Sequence, residues 1–408
     1  MELWKRNLCI CWVGSFATSS GLSQIAPVLP LYIEHLGVTN LPEVEMWSGV
    51  AFGITGLMMA LVSPLWGSAA DRYGRKPMLL RASLGMAIIV SAMGFVSNVY
   101  QLVGLRLLMG LISGFNSGSI TLIATQTPRE RAGWALGTLS TGMVGGSLLG
   151  PLIGGYVAEL FGYRSVFLST GCLLFIAFLL TLFLVKEHFV VSDEKPPNTR
   201  EVWRLIPNKH LLVAMFITTF ILQLALFSIE PIISVYIKGL IPETSHVALI
   251  AGMVFAASGF ASMLAAPRMG KLSDKIGPHK VVFAALIAAG CIFIPQAFVK
   301  NEWQLLGLRF LLGFSSAALL PSINTLIKRT TPDKLTGRIF GFNQSAQFLG
   351  TFSGSVLGGQ TAAYLGIRAV FLVTSALLLL NAVWVYCNVF GKMTENVQKS
   401  WVIKNPAK

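Results

Sequence analysis

Charge is scarce in this chain of 408 residues: charged side chains make up 12% of it against 54% apolar. With a mean hydropathy of +0.69, that scarcity excludes an ordinary water-soluble globule. Cysteine is also rare. Cys9, Cys11, Cys172, Cys291 and Cys387 all fall in apolar runs without metal-ligand spacing, so they are expected as packed small hydrophobes, with no disulfide and no metal. No HExxH, GxSxG or GxxxxGK[ST] pattern occurs, so hydrolytic chemistry and a phosphate-cradling ATP site both lack their parts. The expectation is a protein that is not an enzyme, needs no cofactor, and draws any energy it uses from an ion gradient.

What the chain has instead is length in hydrocarbon-like runs. Twelve apolar segments, each long enough to cross about 30 Å as a helix, lie near residues 8–31, 47–70, 79–97, 101–124, 133–158 and 164–185, then 210–236, 247–266, 280–299, 303–327, 337–361 and 367–389. The first holds Pro27 and Pro30 and lacks a small-residue cleavage pattern, so it is expected as a spanning helix rather than a signal peptide.

The formal net charge of +14 comes from basic residues that alternate by loop. The N-terminus, the even-numbered loops and the tail carry 25 of the 31 Lys and Arg, while the opposite loops hold four, Arg164, Lys238, Lys300 and Arg368. Only Arg106 and Arg309 lie within spans. The positive-inside rule then places both termini and the long middle loop in the cytoplasm. The positive charge reports topology rather than a nucleic-acid surface.

The two halves of the chain repeat each other. TPRERAGWALG at 127–137 returns as TPDKLTGRIFG at 331–341, and GLRLLMG at 104–110 as GLRFLLG at 307–313, at an offset of 203 to 204 residues. Two membrane bundles sharing one fold around a central path are the plan of a rocking transporter. The expected architecture is an all-α membrane protein of 12 transmembrane helices in two pseudo-symmetric six-helix bundles, residues 1–185 and 210–390, with a cytoplasmic linker at 186–209 and a tail at 391–408.

Residues 67–77 read GSAADRYGRKP, with a weaker echo, GKLSDKIGPHK, from Gly270. This segment, between the second and third spans, resembles the GxLaDrxGrkxxl loop of the major facilitator superfamily, and the resemblance extends over the whole chain. In that family the loop latches the cytoplasmic gate of the outward-facing state, which implies a gating role for Gly67, Asp71, Arg72, Gly74 and Arg75. In the echo Pro278 and His279 replace the Arg-Lys pair, so Asp274 belongs to the degenerate copy. A solvated turn that only sets topology is the alternative.

Two further motifs fit the same family. Arg106 stands four residues before Gly110 in the fourth span and resembles the family's RxxxG motif, where the Arg is thought to couple proton movement to conformational change. Snorkelling to an interface is the plainer reading, and Arg309, its repeat, is open to a structural one. GSLLGPLIGG at 146–155 fits GxxxGPxxGG, which in this superfamily tracks antiporters, through Gly146, Gly150, Pro151, Gly154 and Gly155. Such spacing lets helices touch and the proline bends one of them; plain glycine packing is the alternative.

Sixteen of the 17 acidic residues are placed in loops or at span ends; Glu230 alone falls inside a span, the seventh. Its repeat partner is Ala26. Burial disfavours the charged form of a carboxyl, so Glu230 can take up a proton or a cation. Gln223, Phe227 and Glu230 recur at helical spacing and are expected on one face of a cavity for an amphipathic cation. A neutral Glu bonded to the carbonyl freed by Pro231 is the competing account. Gln24, Tyr32, Asn116, Tyr236, Asn343 and Gln347 are further candidate lining groups.

The resemblance implies a drug:proton antiporter of the twelve-helix type, in a cytoplasmic membrane of bacterial kind, with small amphipathic molecules, protons and lipid as partners and a monomer as the unit. Glu230, Arg106 and Asp71 are the expected coupling residues. A proton-coupled transporter of a metabolite such as a sugar or lipid precursor is the runner-up. A sugar site would favour many amide, carboxyl and Trp groups in the cavity helices, and this chain offers one acid there.

Overall fold

The computed structural model describes residues 2–128, 131–187, 203–206, 208–241, 246–332 and 335–390, and of residues 274, 329 and 390 the backbone only. The expected tail, two thirds of the linker and the side chain of Asp274 lie outside the described residues. The first half runs α1 (Leu3–Gln24), α2 (Leu29–His35), α3 (Leu41–Tyr73), α4 (Arg75–Met93), α5 (Val99–Ile112), α6 (Phe115–Gln126), α7 (Ala132–Phe161) and α8 (Tyr163–Leu184). The second repeats this order as α9 (Lys209–Phe227), α10 (Ile233–Leu240), α11 (Val247–Ile276), α12 (Pro278–Gln296), α13 (Glu302–Ser316), α14 (Leu319–Thr330), α15 (Thr336–Leu365) and α16 (Ile367–Val385).

Four of the twelve spans are therefore broken helices, α1–α2, α5–α6, α9–α10 and α13–α14. Pro27 and Pro231 sit in the first and third breaks, where a missing amide and a ring clash stop the helix. Gly114, at φ +138°, makes the second. Among the described residues, ten helices or helix pairs are long and apolar enough to cross a membrane. The other two spans, α1–α2 and α15, are diluted by polar residues such as Ser15, Ser19, Ser20 and Gln24, and Asn343, Gln347 and Ser355. Those two polar spans are also ones that pack between halves or beside the break points. Large apolar side chains such as Phe95, Phe183, Tyr364 and Leu380 stand exposed around the outside, as a lipid-facing surface requires.

The twofold repeat extends to atomic detail. Tight turns at Gly74 and Gly162 (φ 93° and 81°) return at Gly277 and Gly366 (φ 99° and 83°), a conformation strained for other residues. Asn98 and Asn301 cap α5 and α13, each accepting a 2.9 Å bond from the amide three residues on, Gln101 or Gln304.

Glycine decides how the helices meet. Gly146, Gly150 and Gly154 of α7 lie against Phe16, Ser20 and Gln24 of α1, and their repeats Gly350, Gly354 and Gly358 lie against Phe220, Leu224 and Ser228. The halves join through two seams. A Cβ on Gly155 would lie 2.5 Å from the carbonyl of Ala248 on α11, while Gly252 abuts the carbonyl of Pro151; in the other seam Gly49 of α3 abuts the carbonyl of Ser355 on α15. At the opposite ends of the same four helices, Gly67, Gly133, Gly137, Gly270, Gly337 and Gly341 face open space. The molecule is zipped at one end and parted at the other, and the parted end carries the basic loops.

Polar groups reinforce the zipped end. Lys238 of α10 pairs with Glu34 of α2 at 2.6 Å, His246 contacts Glu159 at 2.7 Å, and the Ser234 hydroxyl donates to the Pro27 carbonyl at 2.7 Å, all between halves.

Candidate functional site

The side chains able to handle a polar ligand stand on the broken spans α1–α2, α5–α6 and α9–α10 and on α15. On the first half, Asn116 of α6 donates to the Ser19 hydroxyl of α1 at 3.0 Å, leaving its own carbonyl oxygen unpartnered. Gln24, at the last residue of α1, is buried with its oxygen likewise unpartnered. On the second half, Asn343 donates to Asn324 at 3.2 Å and is itself buried, whereas Gln223, Phe227 and Gln347 are half-buried. Unpartnered amide oxygens inside a protein are costly unless something binds them.

Glu230 sits in the break between α9 and α10, half-buried. This corrects the expected single helix face: α9 stops at Phe227, so the turn rather than helical periodicity aims the acid. Local chemistry explains the stop. Pro231 cannot bond back to the Phe227 carbonyl, and that carbonyl takes a bond from the Ser355 hydroxyl at 3.4 Å instead. Glu230 is thus not needed to satisfy it.

The charge that acts on Glu230 is Arg309. The two stop short of ion-pair contact, and Arg309 keeps two guanidinium nitrogens without partners. Arg106, expected as the coupling arginine, lies in the first half over the Phe52 ring at 5.2 Å with its Nε unpartnered. Pseudo-symmetry explains the difference. Each half supplies an arginine at the same place, but the position facing it is Glu230 in one half and Ala26 in the other. The Gly of each RxxxG copy has a packing role: a Cβ on Gly110 would lie 2.5 Å from the Thr55 carbonyl, and Gly313 abuts that of Ser258.

Tyr32 and Tyr236 leave the list of lining residues. Tyr32 is fully buried and donates to the Met93 carbonyl at 2.9 Å, and Tyr236 does the same to Gln296 at 2.9 Å. They pin each broken helix to the third span of its own half.

At the parted end, Asp71 pairs with Arg75 one turn on, and the two amides that begin α4, of Arg75 and Lys76, donate to the Glu187 carboxylate at 2.8 and 2.7 Å. An anion at a helix N-terminus is favoured by the exposed amides. Among the described residues, neither Asp71 nor Arg72 bonds to the second half.

One acid escaped the sequence reading. Glu45 was placed outside the second span, yet α3 begins at Leu41 and Glu45 is only 2% exposed, in the seam with α15. The signal was present in the Glu45–Gly49–Gly53 spacing, which puts the acid on the glycine face.

The fold and path define a member of a known class: the chain belongs to the Major Facilitator Superfamily, whose model matches residues 11–241 and 215–402. It is an integral membrane protein of the transporter type. Among its relatives, the "Multidrug resistance protein MdtG" of Salmonella schwarzengrund (strain CVM19633) is 48% identical over 382 residues, covering 93% of this chain and 95% of that one. The protein of the same name from Salmonella typhimurium (strain LT2) matches equally, at 48% over 382 residues. Among solved structures, a bacterial homolog to the human lysosomal transporter Spinster, in an inward-facing and occupied conformation, superposes with a TM-score of 0.76 at 13% identity, covering 95% of this chain and 97% of that one. The human organic anion transporter MFSD10 does so with 0.70 at 16%, covering 94% and 100%. At those identities the likeness concerns the fold.

Proposed function

We propose that this protein is a proton-coupled multidrug antiporter of a bacterial cytoplasmic membrane, exporting amphipathic or cationic small molecules by alternating access. The observation that carries the reading is Glu230, an acid set in the break between α9 and α10 with a charge partner, Arg309, too distant to neutralise it by contact. Such a carboxylate can hold a cationic drug or a proton, but not both. The names of the relatives at 48% identity support the drug class.

The cycle follows from competition. From the cytoplasm a cationic substrate meets ionised Glu230, with Phe227 and the amides of Gln223 and Gln347 as adaptable contacts. After the halves rock, a proton from outside discharges the drug and returns with the carrier. Arg309 keeps the ionised form tolerable between these events, and Arg106 provides the matching bare arginine in the first half. With the basic loops cytoplasmic, the parted end opens inward. The monomer suffices, since the path lies between halves of one chain.

Efflux of a panel of dyes and antibiotics from cells with and without the protein, repeated with an uncoupler, tests the reading. Uncoupler-sensitive export of several unrelated cations is expected. Uptake or export of a sugar or lipid precursor alone would transfer the protein to the metabolite class. Orientation is tested in a Cys-free background, where Asn198→Cys should resist an impermeant maleimide added outside intact cells and Thr39→Cys should react.

A further inference from the structure

Glu45 belongs to neither the path nor the basic loops. It lies one turn into α3, 2% exposed, on the face where Gly49 abuts α15. A Cβ on Gly359 would lie 2.5 Å from its backbone carbonyl, so the two helices touch at this level. Among the described residues the carboxyl makes no hydrogen bond and no ion pair.

The elements around it offer no compensating cation. On α15 the ionisable side chains are Arg338, near the opposite end of that helix, and Tyr364, an exposed phenol that brings no positive charge. On α5 they are Arg106, over Phe52, and the Tyr100 phenol, against the Trp47 ring. On α2 there are Tyr32, Glu34 and His35; Tyr32 donates to Met93 and Glu34 is taken by Lys238. Arg75, Lys76 and Arg81 of α4 stand at the basic end, and His246 is engaged with Glu159 across the other seam. An ionised carboxylate held in such a place without a partner costs several kcal/mol.

We infer that Glu45 is a second proton-binding site, distinct from Glu230, which must be protonated for the α3–α15 seam to close. When the seam parts, the carboxyl meets water and releases its proton to the side it came from. The proton is not transported. It makes closure of the zipped end dependent on the acidity of the medium facing it, and if that end is the outer one, as proposed above, export is gated by external pH.

One proton taken up on closure makes the ratio of closed to open seam fall about tenfold per pH unit over the range where the open form is ionised and the closed form is not. The test is a distance. With the five native cysteines replaced, spin labels at Leu41→Cys and Tyr364→Cys, both exposed at this end, report the seam in nanodiscs, where both faces see one pH. The unsubstituted seam should move from the short to the long distance as pH rises from 5 to 9. Glu45→Gln, which stays neutral, should hold the short distance throughout, and Glu45→Asp should restore the response. Glu230→Gln and His246→Gln should each keep it, which separates this site from the transport carboxyl and from the other outer pair. A pH response that survives Glu45→Gln, one lost in Glu230→Gln or His246→Gln as well, or none in the parent protein would each overturn the inference. Because the readout is a distance, failure of drug export would not decide it either way.

Discussion

Gly359 and Glu45 are held so close that a single methyl on the glycine would lie 2.5 Å from the glutamate's backbone carbonyl, and Gly155 stands in the same relation, 2.5 Å, to Ala248 in the other seam. Both contacts are backbone to backbone, so no rotamer change can relieve a clash. Gly359→Ala should therefore part the zipped end while leaving each half folded, because overpacking of this kind costs about 1–3 kcal/mol. That shifts the balance between closed and open seam by roughly 5- to 150-fold. The readout is maleimide reactivity of Ser234→Cys, whose hydroxyl now reaches the Pro27 carbonyl at 2.7 Å. Reactivity from outside should rise severalfold in the alanine variant; no change would show that the seam yields without cost.

The glycine motifs were legible because their function is steric, and steric needs are written in residue type and spacing. The repeat was legible for the same reason: Gly74 and Gly277, or Asn98 and Asn301, are demanded by local backbone geometry at both copies. What was not legible depends on which way a side chain leaves a break. The pattern treated residues 210–236 as one helix, so Glu230 inherited a face it does not occupy. That Arg309 rather than Arg106 acts on the acid follows from the asymmetry Glu230 against Ala26, which was visible but is informative only once the halves are known to be superposable. Glu45 was missed because hydropathy starts a span where apolar residues begin, whereas the helix starts at Leu41.

Tyr236→Phe tests the removal of the tyrosines from the path. The lost hydroxyl bond to Gln296, 2.9 Å long, should lower stability by about 0.5–1.5 kcal/mol. Thermal unfolding in detergent should shift down by a few degrees, with the order of preferred substrates unchanged. Selective loss of one drug class at unchanged stability would return Tyr236 to the cavity.

Among the described residues Asp71 is paired only with Arg75, at an end where the halves stand apart. If the pair latches that end when it closes, Asp71→Asn weakens a contact made in the other state alone, and the balance moves toward the form described here. Export should fall at least several-fold while the amount of protein in the membrane stays near normal. Normal efflux at normal level would leave Asp71 as a residue of topology.

Glu230→Gln keeps the shape of the side chain and its capacity for hydrogen bonds but removes its exchange of a proton. The variant imitates the protonated form permanently, so a cationic drug finds no opposite charge from the cytoplasmic side, and nothing remains for the external proton to displace. Binding of a cation by the parent protein should strengthen with rising pH, because the ionised fraction of Glu230 grows and only that fraction attracts it. In the Gln variant this rise should vanish, together with uphill export of cations, while neutral compounds still bind. Arg309→Ala separates charge from position: losing the one cation that acts on Glu230 should move the pH at which drug binding rises to a higher value without abolishing it. Arg106→Ala, in the half where Ala26 replaces the acid, should leave that pH unmoved. Equilibrium binding of a fluorescent cation across pH 5 to 9 distinguishes these outcomes, and a Gln variant that still concentrates the dye outward with unaltered pH dependence would place the transported proton elsewhere.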